Sequence, residues 1–247
     1  MGDVAIWALS GGALVLGGLV KGALGVGLPL VAVPLLALWL PPAQAIGLLA
    51  APVVLSNLVQ SVEGGQLGAS WGRCRWLVLA QLVATVLTVR MTLDLSPAQL
   101  NAMVAAAVLL AVALLALQPN VQISPQHEKS IGVAVGLGSG LLGGVSSLTG
   151  PILITYFMAL RLPRDVFVSS ISLVYLAGSL PLYGAMVGFG KISHFELGLS
   201  VLALAPVYLG MRLGRSVRQR LNEQLFRRVV LVVLVLIALV LLTKSLA

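Results

Sequence analysis

Four stretches of this chain contain no Asp, Glu, Lys or Arg: 22–62, 95–127, 130–160 and 166–190. A helix needs about 20 mostly apolar residues to cross a bilayer, so these stretches hold one or more crossings each. Charged residues make up 9% of the sequence, against roughly 25% in soluble domains. Fifteen Lys and Arg with seven Asp and Glu cannot clothe a water-facing surface. The fold class expected is an all-α polytopic membrane protein.

The formal charge of +8 could suggest a nucleic-acid partner. The arginines instead sit in short connections between apolar runs, as the positive-inside rule describes, and no nucleic-acid partner is expected. A single cysteine, Cys74, leaves no intrachain disulfide and no cysteine-based metal cage. The start, Met1-Gly2-Asp3, lacks the basic region of a cleaved signal peptide, and Ile6 stands where myristoylation needs Ser or Thr.

The chain repeats itself at an offset of 122 residues. Gly18, Gly22, Pro29 and Pro41 fall on Gly140, Gly144, Pro151 and Pro163, and Arg90 falls on Arg212. Leucine matches mean little in such a composition, whereas glycine, proline and arginine matches at one ungapped offset imply duplication. Residues 1–120 form the first repeat, 121–129 a cytoplasmic linker and 130–247 the second repeat. Each repeat opens with an interrupted apolar segment, 4–40 broken near 21–29 and 130–160. Three spans follow each: 43–62, 76–92 and 97–117, then 165–187, 195–213 and 224–243.

Arg212, Arg215, Arg218 and Arg220 make the connection before the last span the most basic, hence cytoplasmic. Walking back along the chain puts both ends of 130–160 inside and both ends of 4–40 outside. Each interrupted segment is then a broken, re-entrant-like helical hairpin, and the repeats are inverted copies with both termini outside. Inverted repeats with broken helices are a transporter plan.

The breaks carry the densest local chemistry. The first reads Lys21-Gly22-Ala23-Leu24-Gly25-Val26-Gly27-Leu28-Pro29, the second Gly143-Gly144-Val145-Ser146-Ser147-Leu148-Thr149-Gly150-Pro151. Glycine weakens a helix by about 1 kcal/mol and proline removes a donor, so backbone groups are left unbonded at membrane depth. A helix resuming after a break offers free N–H groups and the positive end of its dipole to an anion. Gly18/Gly22 and Gly136/Gly140/Gly144 are equally GxxxG spacings that pack helices closely without binding anything. Lys21, beside the first break, is either an intramembrane charge serving function or a side chain snorkelling to the outer edge. Asn57 and Gln60 on the second span, and Ser169, Ser170, Ser172, Tyr175, Ser179 and Tyr183 on its counterpart, either contact substrate or bond between helices. Arg90 and Arg212 read as topology markers at span ends.

None of the seven acids lies clearly mid-span, and His127 and His194 belong to connections. A carboxylate proton relay, a zinc site and a serine hydrolase all lack their parts. No enzymatic activity, metal or other cofactor is expected.

The run Lys21 to Leu36, followed by Pro41-Pro42 and Ser56-Asn57-Leu58-Val59-Gln60, resembles the TauE/SafE sulfite-exporter family, and Gly140-Leu141-Leu142-Gly143-Gly144 through Thr149-Gly150-Pro151 is similar to its second motif. The resemblance implies multi-pass transport of sulfur oxyanions or organosulfonates across a bacterial inner membrane. The expected function is export of a small sulfur-containing anion, sulfite first, then thiosulfate or a sulfonate. Substrate contacts are expected at Lys21, Gly25, Gly27, Asn57, Gln60, Ser146, Ser147, Thr149 and Gly150. The alternatives are a proton-coupled importer of an organosulfonate or other organic anion, and a non-transporting membrane scaffold. The bilayer is the other partner, and the sequence is compatible with a homo-oligomer.

Overall fold

A computed structural model of the chain describes residues 3–24, 27–63, 67–117, 122–218 and 223–246, and every regular element among them is helical. In chain order these are α1 (Asp3–Leu24), α2 (Leu28–Leu36), α3 (Pro42–Gly47), α4 (Ala50–Glu63), α5 (Leu67–Met91) and α6 (Pro97–Leu117). Then follow α7 (Glu128–Ser146), α8 (Gly150–Ala159), α9 (Arg164–Gly188), α10 (His194–Leu202), α11 (Leu204–Arg218) and α12 (Glu223–Leu246). Seven stretches are long and apolar enough to cross a membrane: 5–23, 42–62, 70–91, 97–117, 128–146, 166–188 and 194–216. The protein is an all-α polytopic membrane protein.

Both interrupted segments break where glycine and proline cluster. The chain leaves α1 at Leu24 and resumes helix at Leu28; it leaves α7 at Ser146 and resumes at Gly150. The two restarts, at Leu28 and at Gly150, coincide at the same offset of 122. Pro29 and Pro151 stand in the first turn of the resumed helix, where a missing N–H does no harm.

Two spans expected to be single helices are each divided. Pro52 has no N–H to give the Leu48 carbonyl, and Pro206 none to give that of Leu202, so the turns slip at 48–49 and at 203. Ser200 Oγ then accepts from the Ala51 N–H at 3.2 Å, capping the restarted α4. The third span begins earlier than expected, because α5 carries Arg73 and Arg75 on its first turns rather than in a loop. The Arg73 guanidinium forks onto the Glu128 carboxylate at the start of α7, with Nη2 at 2.8 Å from Oε2. That pairing lets the helix extend past the apolar stretch without stranding its charge.

The chain forms two compact units, each drawing on both sequence halves. The first comprises residues 1–52, 95–112 and 192–247. Within it α1 lies along α11, while α2 rests on α1, α3 and α12. Helix α2 is buried on every side, with Leu28, Ala32, Val33 and Leu36 nearly inaccessible, so it forms the centre of this unit. Leu234, Ile237, Ala238 and Leu241 give α12 a buried stripe at helical spacing. Trp39 Nε1 donates to Ser10 Oγ at 3.0 Å, and Lys244 Nζ donates to the Leu38 carbonyl, securing the exit from α2.

The second unit comprises residues 53–94 and 113–191. Here α5 lies along α7 and α9, and α8 packs on α7 and α9. Ser170 Oγ donates to Ser70 Oγ at 3.0 Å, and Ser169 Oγ to the Ser61 carbonyl at 3.1 Å, stitching α9 to α5 and α4. Lys191 Nζ donates to the Thr92 and Leu93 carbonyls at 2.8 Å each, capping the end of α5.

Each unit holds one very close helix crossing, and glycine makes both. A Cβ at Gly18 or Gly22 of α1 would overlap the carbonyl of Val207 or Met211 in α11, and one at Gly210 or Gly214 would overlap that of Val15 or Leu19. In the second unit a Cβ at Gly140 of α7 would fall 2.6 Å from the Gln81 carbonyl and 2.7 Å from Ala84 Cβ, and one at Gly144 2.6 Å from Thr88 Cβ. The GxxxG spacings are therefore helix-packing glycines.

Candidate functional site

The second break is a left-handed cap followed by an uncapped helix start. Ser147 takes φ 60° and ψ 10°, a conformation uncommon for a non-glycine residue, and its N–H bonds the Gly143 carbonyl at 2.8 Å. Ser146 is wholly buried and structural: its Oγ donates to the Leu142 carbonyl at 2.8 Å and accepts from the Leu148 N–H at 3.3 Å. Thr149 occupies the N-cap position of α8 without capping it through its side chain. Among the described residues no acceptor meets the N–H groups of Thr149, Gly150 or Ile152. Three backbone donors and the positive end of α8 thus converge at one point.

Side-chain groups without partners gather around that point. The Tyr175 hydroxyl of α9 stands 3.0 Å from where a Gly150 Cβ would be, so only glycine lets the ring reach the backbone here. On the same helix, the Tyr183 hydroxyl faces the Ser147 side chain without meeting hydrogen-bond geometry. From α5, Thr85 Oγ1 lies 3.9 Å from the Gly143 Cβ position, which the Thr149 methyl crowds from the other side at 2.6 Å. Thr88 follows one turn along α5, and Gln81 lies one turn before Thr85. The Tyr175 and Tyr183 hydroxyls, the Thr85 and Thr88 hydroxyls and both ends of the Gln81 amide are buried with no hydrogen-bond partner among the described residues. Leaving one such group unsatisfied costs about 1–3 kcal/mol, so six atoms in one neighbourhood require a guest, a water network or both.

The structure brings together Ser146, Ser147, Thr149 and Gly150 from the expected set. Asn57 is buried on α4 of the same unit, and Gln60, also on α4, has a buried Oε1 without a described partner. Lys21 and Gly27 belong to the first unit. Gly25 lies outside the described residues. Gly27 takes φ 98° immediately before α2, a left-handed value that only glycine adopts without strain. Lys21 is buried in the last turn of α1, where its charge favours the negative end of that helix. Its ammonium is thus enclosed by protein rather than reaching outward along the chain's surface.

The polar stripe on α9 resolves into two kinds of residue. Ser169 and Ser170 bond between helices and Ser179 donates to its own Leu176 carbonyl at 2.8 Å, whereas Tyr175 and Tyr183 keep unpartnered hydroxyls. The matching stripe on α5 was overlooked in the sequence. Gln81, Thr85, Thr88 and Thr92 recur at helical spacing in an otherwise apolar run, which is the signal that identifies them. Among the described residues no group of three or more His, Cys, Asp or Glu could hold a metal ion.

Residues 10–241 match the protein family described as "Sulfite exporter TauE/SafE". The chain belongs to that family. No curated protein and no solved structure matched it. TauE/SafE membership makes the chain a multi-pass membrane transporter.

Proposed function

We propose that this TauE/SafE protein exports a small sulfur-containing anion, sulfite first, across a bacterial inner membrane by alternating access between inverted repeats. The observation that carries the reading is the set of donors around the second break without partners among the described residues: the N–H groups of the half-buried Thr149, Gly150 and Ile152 with the buried hydroxyls of Tyr175, Tyr183 and Thr85. Neutral donors gathered at one helix start suit an oxyanion, because hydrogen bonds to a charged acceptor are stronger than those between neutral groups. No metal or redox step is part of this cycle. The membrane potential supplies roughly 2.3 kcal/mol per charge per 100 mV, so an anion leaves the negative interior downhill without a coupled ion.

In vesicles reconstituted with the protein, sulfite efflux is expected to rise when the sulfite-loaded side is made negative and to saturate with concentration. Thiosulfate and small sulfonates serve as competitors. A flux that ignores the potential, or that runs only against a proton gradient, would favour the coupled importer instead.

The repeat reading is supported by breaks that coincide at one offset and by glycine-built crossings, α1 with α11 and α5 with α7, that are counterparts at that offset. It places both termini outside. Single cysteines introduced at positions 3 and 245 should both react with an impermeant reagent from the external side. Reaction on opposite sides would remove the inverted arrangement.

A further inference from the structure

Gln81 is fully buried in α5, and neither its Nε2 nor its Oε1 has a hydrogen-bond partner among the described residues. The amide occupies space that Gly178 of α9 leaves open: a Cβ there would stand 2.8 Å from the Gln81 Cδ and 3.2 Å from its Oε1. A glycine has therefore been spent on seating a polar group with nothing to bond. The groups nearest along the same face, Thr85 and Thr88, are hydroxyls that donate or accept as needed. An amide oxygen only accepts. Neither threonine hydroxyl reaches the amide, so an anion offering nothing but acceptor oxygens satisfies the Gln81 Nε2 and the hydroxyls and still leaves Oε1 stranded. The charged side chains described on α5 and α7 lie toward helix ends, Arg73, Arg75, Glu128 and Lys129 at one and Arg90 at the other. The neighbourhood of Gln81 is thus neutral.

We propose that Gln81 is a specificity-determining residue that reads a hydrogen-bond donor on the transported anion. The preferred substrate is then a monoanion carrying acceptor oxygens and at least one O–H or N–H group; singly protonated sulfite meets this description. The proposal rests on the transport reading above and narrows its substrate class.

Two sulfonates of equal charge test it, 2-hydroxyethanesulfonate and ethanesulfonate, with sulfite as the reference ligand. The purified wild-type protein should bind the hydroxyl-bearing compound at least about tenfold more tightly, since its partner would otherwise leave a buried acceptor unsatisfied. Gln81→Leu should bring that ratio to near one while the unliganded variant melts no lower than wild type. Gln81→Met, which keeps the length of the side chain, provides the same comparison if the leucine variant fails to fold. Absence of binding by sulfite and both sulfonates would remove the transport reading itself. Sulfite binding accompanied by equal affinity for the two sulfonates, by binding of neither, or by a ratio that survives both substitutions would overturn the role of Gln81 alone.

Discussion

Leucine in place of Gly18 or Gly140 is expected to prevent the protein from reaching its native packing. At Gly18 the new side chain meets the Val207 carbonyl, and at Gly140 it meets the Gln81 carbonyl at 2.6 Å and the Thr85 nitrogen at 3.1 Å. These are backbone atoms, so no rotamer change clears the overlap and the helices must separate. Overpacking typically destabilises by about 1–3 kcal/mol, and backbone-on-backbone overlap belongs at or above the upper end of that range. Gly12 shares α1 with Gly18, yet a Cβ there meets nothing within 4 Å. Gly12→Leu should therefore stay within about 0.5 kcal/mol of the parent, as surface changes do. Melting temperature and monodispersity in detergent decide the matter. Equal behaviour of the Gly12 and Gly18 variants would mean that α1 and α11 do not cross as described.

Tyr175→Phe and Thr85→Val are expected to move stability and affinity in opposite directions. Each removes a buried hydroxyl that has no partner among the described residues. Its loss relieves a penalty of about 1–3 kcal/mol, so the unliganded variants should melt at or above the parent temperature. A hydrogen bond to a charged ligand is worth about 1.5–3 kcal/mol, so sulfite affinity should fall by roughly 10- to 100-fold for either change. Ser146→Ala supplies the contrast, because that hydroxyl already joins the Leu142 carbonyl to the Leu148 N–H. It should lower the melting temperature before it touches affinity. Thermal melts and binding isotherms on the same preparations separate the cases. Parallel losses of stability and affinity at Tyr175 and Thr85 would assign those hydroxyls to the fold.

The spans and the two breaks were legible in the sequence because lipid enforces a coarse grammar. Charge-free runs of sufficient length must cross, and Gly-Pro clusters such as Gly27-Leu28-Pro29 and Thr149-Gly150-Pro151 must interrupt. The slips at 48–49 and 203 were less legible, since each depends on one proline three residues inside a helix, at Pro52 and Pro206, in an otherwise uniform apolar run. Side-chain roles were the least legible. Ser146 and Ser147 are neighbours of the same type, yet one hydroxyl turns back to its own helix while the other faces Tyr183. Gln81 shares the helical spacing of Thr85, Thr88 and Thr92, but that spacing does not show what the amide meets, which depends on Gly178, nearly 100 residues away in the chain.

The interleaving of the two units also sets an order of assembly. Every segment of the second unit lies between residues 53 and 191, so all of it has been synthesised before α10 and α11 emerge. Helix α1, by contrast, meets its glycine-matched partner α11 only after some 180 further residues have been made. At about 5–20 residues per second that is a wait of roughly 10–40 s in the bilayer. Throughout that interval Gly18 and Gly22 lack the α11 surface that will cover the close crossing. Helix α1 is therefore the described segment that waits longest for its packing partner, and truncation anywhere before α11 removes the surface on which Gly18 and Gly22 close.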